Sequence, residues 1–267
     1  MNLRAVIFDI YNTLLEVGPP PADAAEQWDR IWRDLGRPQP PLSLSEFDLK
    51  CRQASAATQA IARAEGVAFP EDDWPRIATQ AAAELSVLSE SALAEFLNQH
   101  ARLQRTTRLM PGAAALLRAG HERRLPTGRD SASPKPRWAS RRRPEPANPL
   151  FLGLCSNCQP YTLDEFAAAL AAEGLSTNLF DPELCSYSFT ARIRKPDPAI
   201  FASLQSRLAS RGILPSEILM VGDRFDNDIL PARALGWRTW QLSETPAERP
   251  GGTFAELSRS ELKPSQS

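Results

Sequence analysis

Ala5-Val6-Ile7-Phe8-Asp9-Ile10-Tyr11-Asn12-Thr13-Leu14 is the stretch that decides the fold. Its first four residues form a continuous apolar run, which is how a strand buried on both faces of a parallel sheet reads. The run stops on an acid. A carboxylate in that place stands at the carboxyl end of a strand, where open α/β sheets bind their ligands. Further short apolar runs cover 150–155, about 184–189 and 218–221, and 237–242 alternates as a shorter, partly exposed strand. Helical patterns separate them: 162–173 ends before Gly174, and 198–211 starts behind Asp197 as N-cap and stops at Gly212. A third, 227–235, stops at Gly236. Strands alternating with helices over about 130 residues predict a Rossmann-like, doubly wound α/β sheet.

Residues 17–107 read differently. Ala24, Ala25, Trp28, Ile31, Trp32 and Leu35 fall on one helical stripe closed by Gly36. Ser43-Leu44-Ser45-Glu46 has capping-box spacing and opens a second helix lasting to about Gly66. Trp74, Ile77, Ala78, Ala81, Leu85 and Leu88 form a third stripe, and Leu93, Phe96, Leu97, His100 and Leu103 a fourth. Four helices placed directly after the first strand predict an all-α insert in the position of a lid. Gly18-Pro19-Pro20-Pro21 marks its stiff hinge boundary. The expected organisation is therefore a core of 1–16 and 108–244 with a helical cap at 17–107. Within the core, 121–147 carries eight Lys/Arg, three Asp/Glu and five prolines. It reads as a basic, solvated loop, or as a docking segment for an anionic partner. The segment 245–267 reads as a loosely ordered tail.

The 267 residues are 42% hydrophobic, with 31 Lys+Arg against 32 Asp+Glu and a formal charge of −1. That balance gives no global reason to expect nucleic acid or an anionic membrane as partner. No apolar run approaches the roughly 20 residues that span a bilayer, and no secretory signal is read at the start. Four cysteines make no disulfide scaffold, so a cytoplasmic location is expected. Cys155-Ser156-Asn157-Cys158 is a C-x-x-C, but redox pairs normally open a helix and structural zinc needs four ligands, so buried inert thiols are expected. The tryptophan stripe (Trp28, Trp32, Trp74) reads as core packing ahead of a substrate pocket.

Four polar clusters each follow a predicted strand: Asp9 to Leu14, Ser156-Asn157, Lys195-Pro196-Asp197, and Gly222-Asp223-Arg224-Phe225-Asp226-Asn227-Asp228. Carboxyl ends of parallel strands face one crevice, so these groups can converge. Carboxylates, a hydroxyl and an ammonium together suit a hard divalent cation and a phosphate better than an apolar ligand. A carboxylate and a phosphate oxygen 4 Å apart repel by roughly 4 kcal/mol at an effective dielectric of 20, which cations must offset. Asp226 reads as the N-cap of the following helix or a metal neighbour, and Asn227 as a secondary candidate for orienting a ligand.

With all four clusters in order, the sequence resembles the haloacid dehalogenase (HAD) superfamily over residues 3–16 and 108–243. The resemblance implies that Asp9 is a nucleophile forming an aspartyl-phosphate, that Ser156 hydrogen-bonds the transferring group, and that Lys195 neutralises charge. It implies a Mg²⁺ site of Asp9, the backbone carbonyl of Tyr11, Asp223 and Asp228. Thr13 and Asn157 are candidate substrate-binding residues, and the insert is similar to a C1-type cap. The expected activity is Mg²⁺-dependent hydrolysis of small phosphomonoesters.

The sequence also departs from that pattern. Phosphatases of the superfamily usually have a second Asp where this chain has Tyr11, as general acid and base. A phenol, with pKa about 10, is a tolerable acid and a poor base at neutral pH, which implies slow turnover. Tyr11 is also similar to the 2-haloacid dehalogenase branch, whose nucleophile attacks carbon without metal, although Asn12 replaces that branch's Gly and Asp223 and Asp228 keep the metal-site form. Arg192 and Thr190 stand where many phosphatases have Gly and Glu. A dehalogenase, and a non-catalytic binding protein on this scaffold, are therefore the alternative readings.

Overall fold

The computed structural model describes residues 3–124, 149–246 and 250–261. In chain order the elements are β1 (Ala5–Phe8), β2 (Leu15–Val17), α1 (Ala24–Asp34), α2 (Leu44–Ala64), α3 (Trp74–Ala81), α4 (Glu90–Gln104), β3 (Thr107–Leu109), α5 (Ala113–Arg124), β4 (Phe151–Ser156) and α6 (Pro160–Ala172). They continue with β5 (Cys185–Tyr187), α7 (Ser188–Ala191), α8 (Pro198–Ala209), β6 (Ile218–Gly222), α9 (Leu230–Ala234), β7 (Arg238–Leu242), β8 (Gly251–Gly252) and α10 (Phe254–Glu261). Six strands form one parallel sheet in the order β5-β4-β1-β6-β7-β8, the doubly wound Rossmann-like core expected from the sequence.

The apolar run of β1 is continuous because both of its faces are covered. Val6 and Phe8 pack with Leu116 and Leu117 of α5 and Phe166 and Leu170 of α6 on one side. Ala5 and Ile7 pack with Ile200, Phe201 and Leu204 of α8 on the other. Register fixes the edge where chemistry collects. Phe8 pairs with Leu154 of β4 and with Val221 of β6, so the residues that follow all three strands emerge together.

The helices between β2 and β3 have a hydrophobic core of their own. Trp28, Trp32, Phe47 and Phe96 are buried in mutual ring contact, with centroids 5.1 to 5.8 Å apart. The packing expected of the tryptophan stripe is thus observed; Trp74, partly buried, packs on the edge of this core and also lines a groove of about 640 Å³ against the start of α6. His100 is buried in the same cluster and meets Asp48 at 2.8 Å. The capping box at Ser43 and Glu46 forms as the spacing predicts. The two chain crossings into this insert pair with each other. β2 and β3 are antiparallel, and Gly18 approaches Thr106 so closely that a Cβ would lie 2.4 Å from its hydroxyl.

Several expectations change. The third stripe is not one helix: α3 stops at Ala81, extended Ala82 follows, and a 3₁₀ turn (Ala83–Val87) buries Leu85. The strand expected over 184–189 ends at Tyr187, because Ser188 turns away to accept a hydrogen bond from the Cys158 amide at 2.9 Å. The tail is not loose throughout. Residues 251–252 add the sixth strand, and α10 buries Phe254 and Leu257 in the sheet's first core. The basic segment 121–147 starts as the last turn of α5, and 125–147 lie outside the described residues. No helix among the described residues is long and apolar enough to cross a membrane.

Candidate active site

Asp9 follows β1 directly, and its amide bonds the Val221 carbonyl at 3.0 Å, which continues the sheet ladder one step past Phe8. The chain then reverses within five residues. Leu14 and Leu15 amides return to the Ile10 carbonyl, both at 2.8 Å, and Asn12 takes a left-handed conformation (φ 55°). Asn is one of the few side chains that tolerates this, so Asn12 can stand where glycine is otherwise favoured. Thr13 is fully buried, and its Oγ1 accepts the Asp223 amide at 3.1 Å. The first and fourth clusters are thereby fastened together.

Asp228 reaches the site from the wide helical turn Phe225–Ile229 that precedes α9. It packs on Gly222, where any Cβ would come within 2.3 to 2.5 Å of its carboxyl. Glycine is thus required at 222 by close approach, since an added Cβ would displace the acid. One Asp228 oxygen accepts the Arg224 amide at 3.0 Å and the other meets Lys195 Nζ at 2.6 Å. Asp226, expected as the N-cap, makes no cap and pairs with Arg224 at the surface instead. Asp197 does cap α8, accepting the Ala199 amide at 2.9 Å.

Lys195 is buried to 3% exposure, and its ammonium reaches the Cys155 carbonyl at 2.8 Å, Asp228 at 2.6 Å and Asp9 at 2.9 Å. The Asp9 contact is an ion pair without hydrogen-bond alignment, so Asp9 Oδ1 is buried with no donor on it. Burial opposes the charge on Lys195, but Asp228 and Asp9 outweigh it and hold the amine protonated. Burial raises the Asp228 carboxyl, opposed by Lys195. Burial and the neighbouring Asp9 raise Asp223 as well. The carboxylates of Asp9, Asp223 and Asp228 present oxygens all within 4.8 Å of one another. Three acids facing one ammonium, with only oxygen donors, suit a hard divalent cation.

The remaining candidates are placed as follows. Ser156 is fully buried at the end of β4, and its hydroxyl has no hydrogen-bond partner. Asn157 uses its whole amide on Lys195: Oδ1 accepts the lysine amide at 2.7 Å and Nδ2 donates to its carbonyl at 3.0 Å. Its contacts position the lysine rather than leave the side chain free. The Tyr11 hydroxyl is not free either. It donates to Glu165 Oε2 at 2.5 Å, accepts from Arg105 Nη2 at 2.6 Å and lies 3.0 Å from Thr162 Oγ1. Burial raises its pKa well above the usual phenol value. The phenol expected as proton donor is thus committed to a cluster of its own.

Cys155 and Cys158 are both buried and unpaired, with burial pushing the Cys155 thiol up to about 12 and the Cys158 thiol higher still. They are the inert thiols that the sequence suggests. Arg192 takes a left-handed conformation (φ 61°) after α7, a backbone region that glycine adopts with least strain. Beside it, the insert touches the lysine loop: Pro70 bridges Ile193, and the Arg194 amide bonds the Phe69 carbonyl at 2.8 Å. The sequence does not point to Arg105, Glu165, Glu71 or Gln241, which holds the Asp223 carbonyl at 3.0 Å. All four are polar residues at positions that look solvent-facing in the sequence, Gln241 on β7, which reads as partly exposed, and the others in helical or loop patterns.

Known proteins place this geometry. Residues 192–244, which carry Lys195, Asp223 and Asp228, match the family described as HAD-hydrolase-like. No curated protein matches the chain in sequence. Among solved structures, the 2-haloacid dehalogenase of Pseudomonas syringae pv. tomato DC3000 superposes with a TM-score of 0.55 at 17% identity, over 96% of this chain and 97% of that one. The HAD-hydrolase YfnB of Bacillus subtilis, bound to magnesium, gives 0.52 at 17% identity over 97% and 98%. A dehalogenase with an intermediate complex gives 0.52 at 18% identity over 98% and 99%. The 192–244 segment thus resembles the HAD-hydrolase-like family, and the chain as a whole shares its α/β fold with these solved structures.

Proposed function

We propose that the protein is a Mg²⁺-dependent phosphomonoester hydrolase acting through an aspartyl-phosphate on Asp9. The observation that carries this reading is the convergence of Asp9, Asp223 and Asp228, with oxygens within 4.8 Å of one another and the Lys195 ammonium on two of them, Asp9 and Asp228. A metal-free reaction has no use for Asp223, whose burial beside Asp9 is electrostatically unfavourable. Asp9, Asp223, Asp228 and the Tyr11 carbonyl would hold the ion, which when bound supplies charge neutralisation for the phosphoryl oxygens.

The chain's own residues do the rest. Asp9 attacks phosphorus and expels the alkoxide, which leaves with a proton taken from water; hydrolysis of the acyl-phosphate then regenerates the carboxylate. Lys195 reduces the repulsion between nucleophile and phosphoryl group. Ser156 Oγ, buried and unpartnered, is poised to donate to a phosphoryl oxygen. With the Tyr11 phenol committed to Glu165 and Arg105, the second step lacks an acid/base on the nucleophile loop, a loss of about 10²–10⁴-fold in rate. The intermediate should therefore accumulate. The helical insert shields the site from bulk water while the first step proceeds.

The committed phenol also favours a second reading, 2-haloacid dehalogenation, because displacement of halide from carbon needs no proton on the leaving group. The test is release of phosphate from a panel of small phosphomonoesters, and of chloride from 2-chloroacids, each with Mg²⁺ or EDTA and with Asp9→Asn as blank. Mg²⁺-dependent phosphate release that Asp9→Asn abolishes, with an acid-trapped phosphate adduct on the Asp9 peptide, supports the first reading. EDTA-resistant chloride release supports the second. Neither product would point to the binding-protein alternative.

A further inference from the structure

We infer that Arg105 is a positioning residue for the nucleophile loop, linking the helical insert to Asp9 through the Tyr11 hydroxyl and Glu165; this rests on the Asp9-centred reading above. Arg105 is the residue directly after α4, where the chain leaves the insert in extended conformation and returns to the core. Its guanidinium lies 4.7 Å from the centre of the Tyr11 ring and 5.8 Å from that of Tyr161. Nη2 donates to the Tyr11 hydroxyl at 2.6 Å and meets Glu165 at 3.2 Å. Only a planar guanidinium can stack on the rings and fork to two oxygens in this way.

The Tyr11 oxygen has one proton and two lone pairs, and all three have a partner: Glu165 takes the proton, while Arg105 and Thr162 face the lone pairs. Glu165 and Thr162 belong to α6, part of the core. Tyr11 is therefore held from both sides, by the insert through Arg105 and by the core through α6. It also sits in the middle of the reversal that connects Asp9 to Thr13, and Thr13 holds the Asp223 amide. An anchor at Tyr11 thus fixes the nucleophile in one direction and an acid of the cation site in the other. Simple packing does not account for it. Apolar side chains fill such a space without the desolvation cost of a buried Arg–Glu pair.

The experiment compares the full chain with Tyr11→Phe and with the double variant Arg105→Gln/Glu165→Gln, which avoids leaving Glu165 buried and unpaired. The first readout is amide hydrogen exchange, which needs neither substrate nor cation. Exchange over residues 10–15 should quicken about tenfold or more in both variants while β1 and β4 keep their protection. Unchanged exchange over 10–15 overturns the proposal. The second readout is steady-state phosphate release. Loss of positioning lowers kcat about tenfold, with KM within about twofold. Combining the variants should add little, since the residues act as one unit. A rise in KM with kcat intact makes Arg105 a substrate contact and overturns the proposal; so do additive losses. If the wild-type chain releases no phosphate, the hydrolase reading falls, and hydrogen exchange alone decides this one.

Discussion

The core of the helical insert and the crevice at the strand ends both bury side chains, yet they hold together by opposite means. In the insert, Trp28, Trp32, Phe47 and Phe96 interlock ring on ring, with Asp48 meeting His100 and Gln104 at the edge of that cluster. At the strand ends, Asp9, Lys195 and Asp228 are buried and are held by mutual charge and by hydrogen bonds to the backbone. The first arrangement is stable in itself. The second brings its acids up against each other, and so depends on the Lys195 ammonium. A region built for packing and a region built for chemistry therefore fail differently.

The largest effects should come from breaking each region at its centre. Trp32→Ala leaves a cavity in the insert and should cost about 3–5 kcal/mol of stability. Lys195→Met leaves two acids unpaired in the crevice and should cost a similar ~3–5 kcal/mol. Urea unfolding with and without MgCl₂ separates them: the cation should recover part of the loss in Lys195→Met and none in Trp32→Ala. An equal response of both variants to MgCl₂ would erase the contrast.

Next in size is the cation itself. At a hundredfold excess over Kd, Mg²⁺ should stabilise the wild-type chain by about 2.7 kcal/mol, seen as a rise in Tm. Asp223→Asn should abolish that rise while leaving the insert intact. Smaller is the strain in the lysine loop. Arg192→Gly relieves a left-handed conformation in a residue with a Cβ and should stabilise by about 1 kcal/mol in the same unfolding experiment.

The smallest effect falls on the seam between the two regions. Glu71, on the insert, accepts from Gln159 Nε2 at 2.9 Å, while its second oxygen is buried without a hydrogen-bond partner. Burial raises its pKa. The folded chain thus holds this proton more tightly than the unfolded chain, and the stability gained from it is present at low pH and lost as pH rises through the raised value. Glu71→Gln should accordingly raise Tm slightly at neutral pH, with the gain fading toward pH about 4, as followed by thermal melts across that range.

The contrast also explains what was legible beforehand. Strand ends announce themselves because an apolar run must stop before a charge, so Asp9, Ser156, Lys195 and Asp223 stand out along the chain. Helical stripes announce the insert for the same reason. Spacing alone does not separate Asp228 from Asp226, since both are acids in one short segment, and it is the resemblance that singles out Asp228. The close approach to Gly222 and the ammonium of Lys195 are what hold Asp228 in the interior. The end of the chain misled for another reason: Gly251 and Gly252 have no side chains to pattern, yet their backbone completes the sheet.

The sequence by itself determined the α/β core, the helical insert and the order of the four polar clusters. These depend on local periodicity and on the burial of apolar residues, which the chain writes directly. Tertiary structure alone decided which polar groups stay free for chemistry. Tyr11 reads as a proton donor until Arg105 and Glu165, 94 and 154 residues away, occupy its hydroxyl. Asn157 reads as a ligand group until Lys195, 38 residues on, takes both ends of its amide. A hydrogen-bonding group has few valences, and which partner fills them is set by neighbours in space that sequence spacing does not encode.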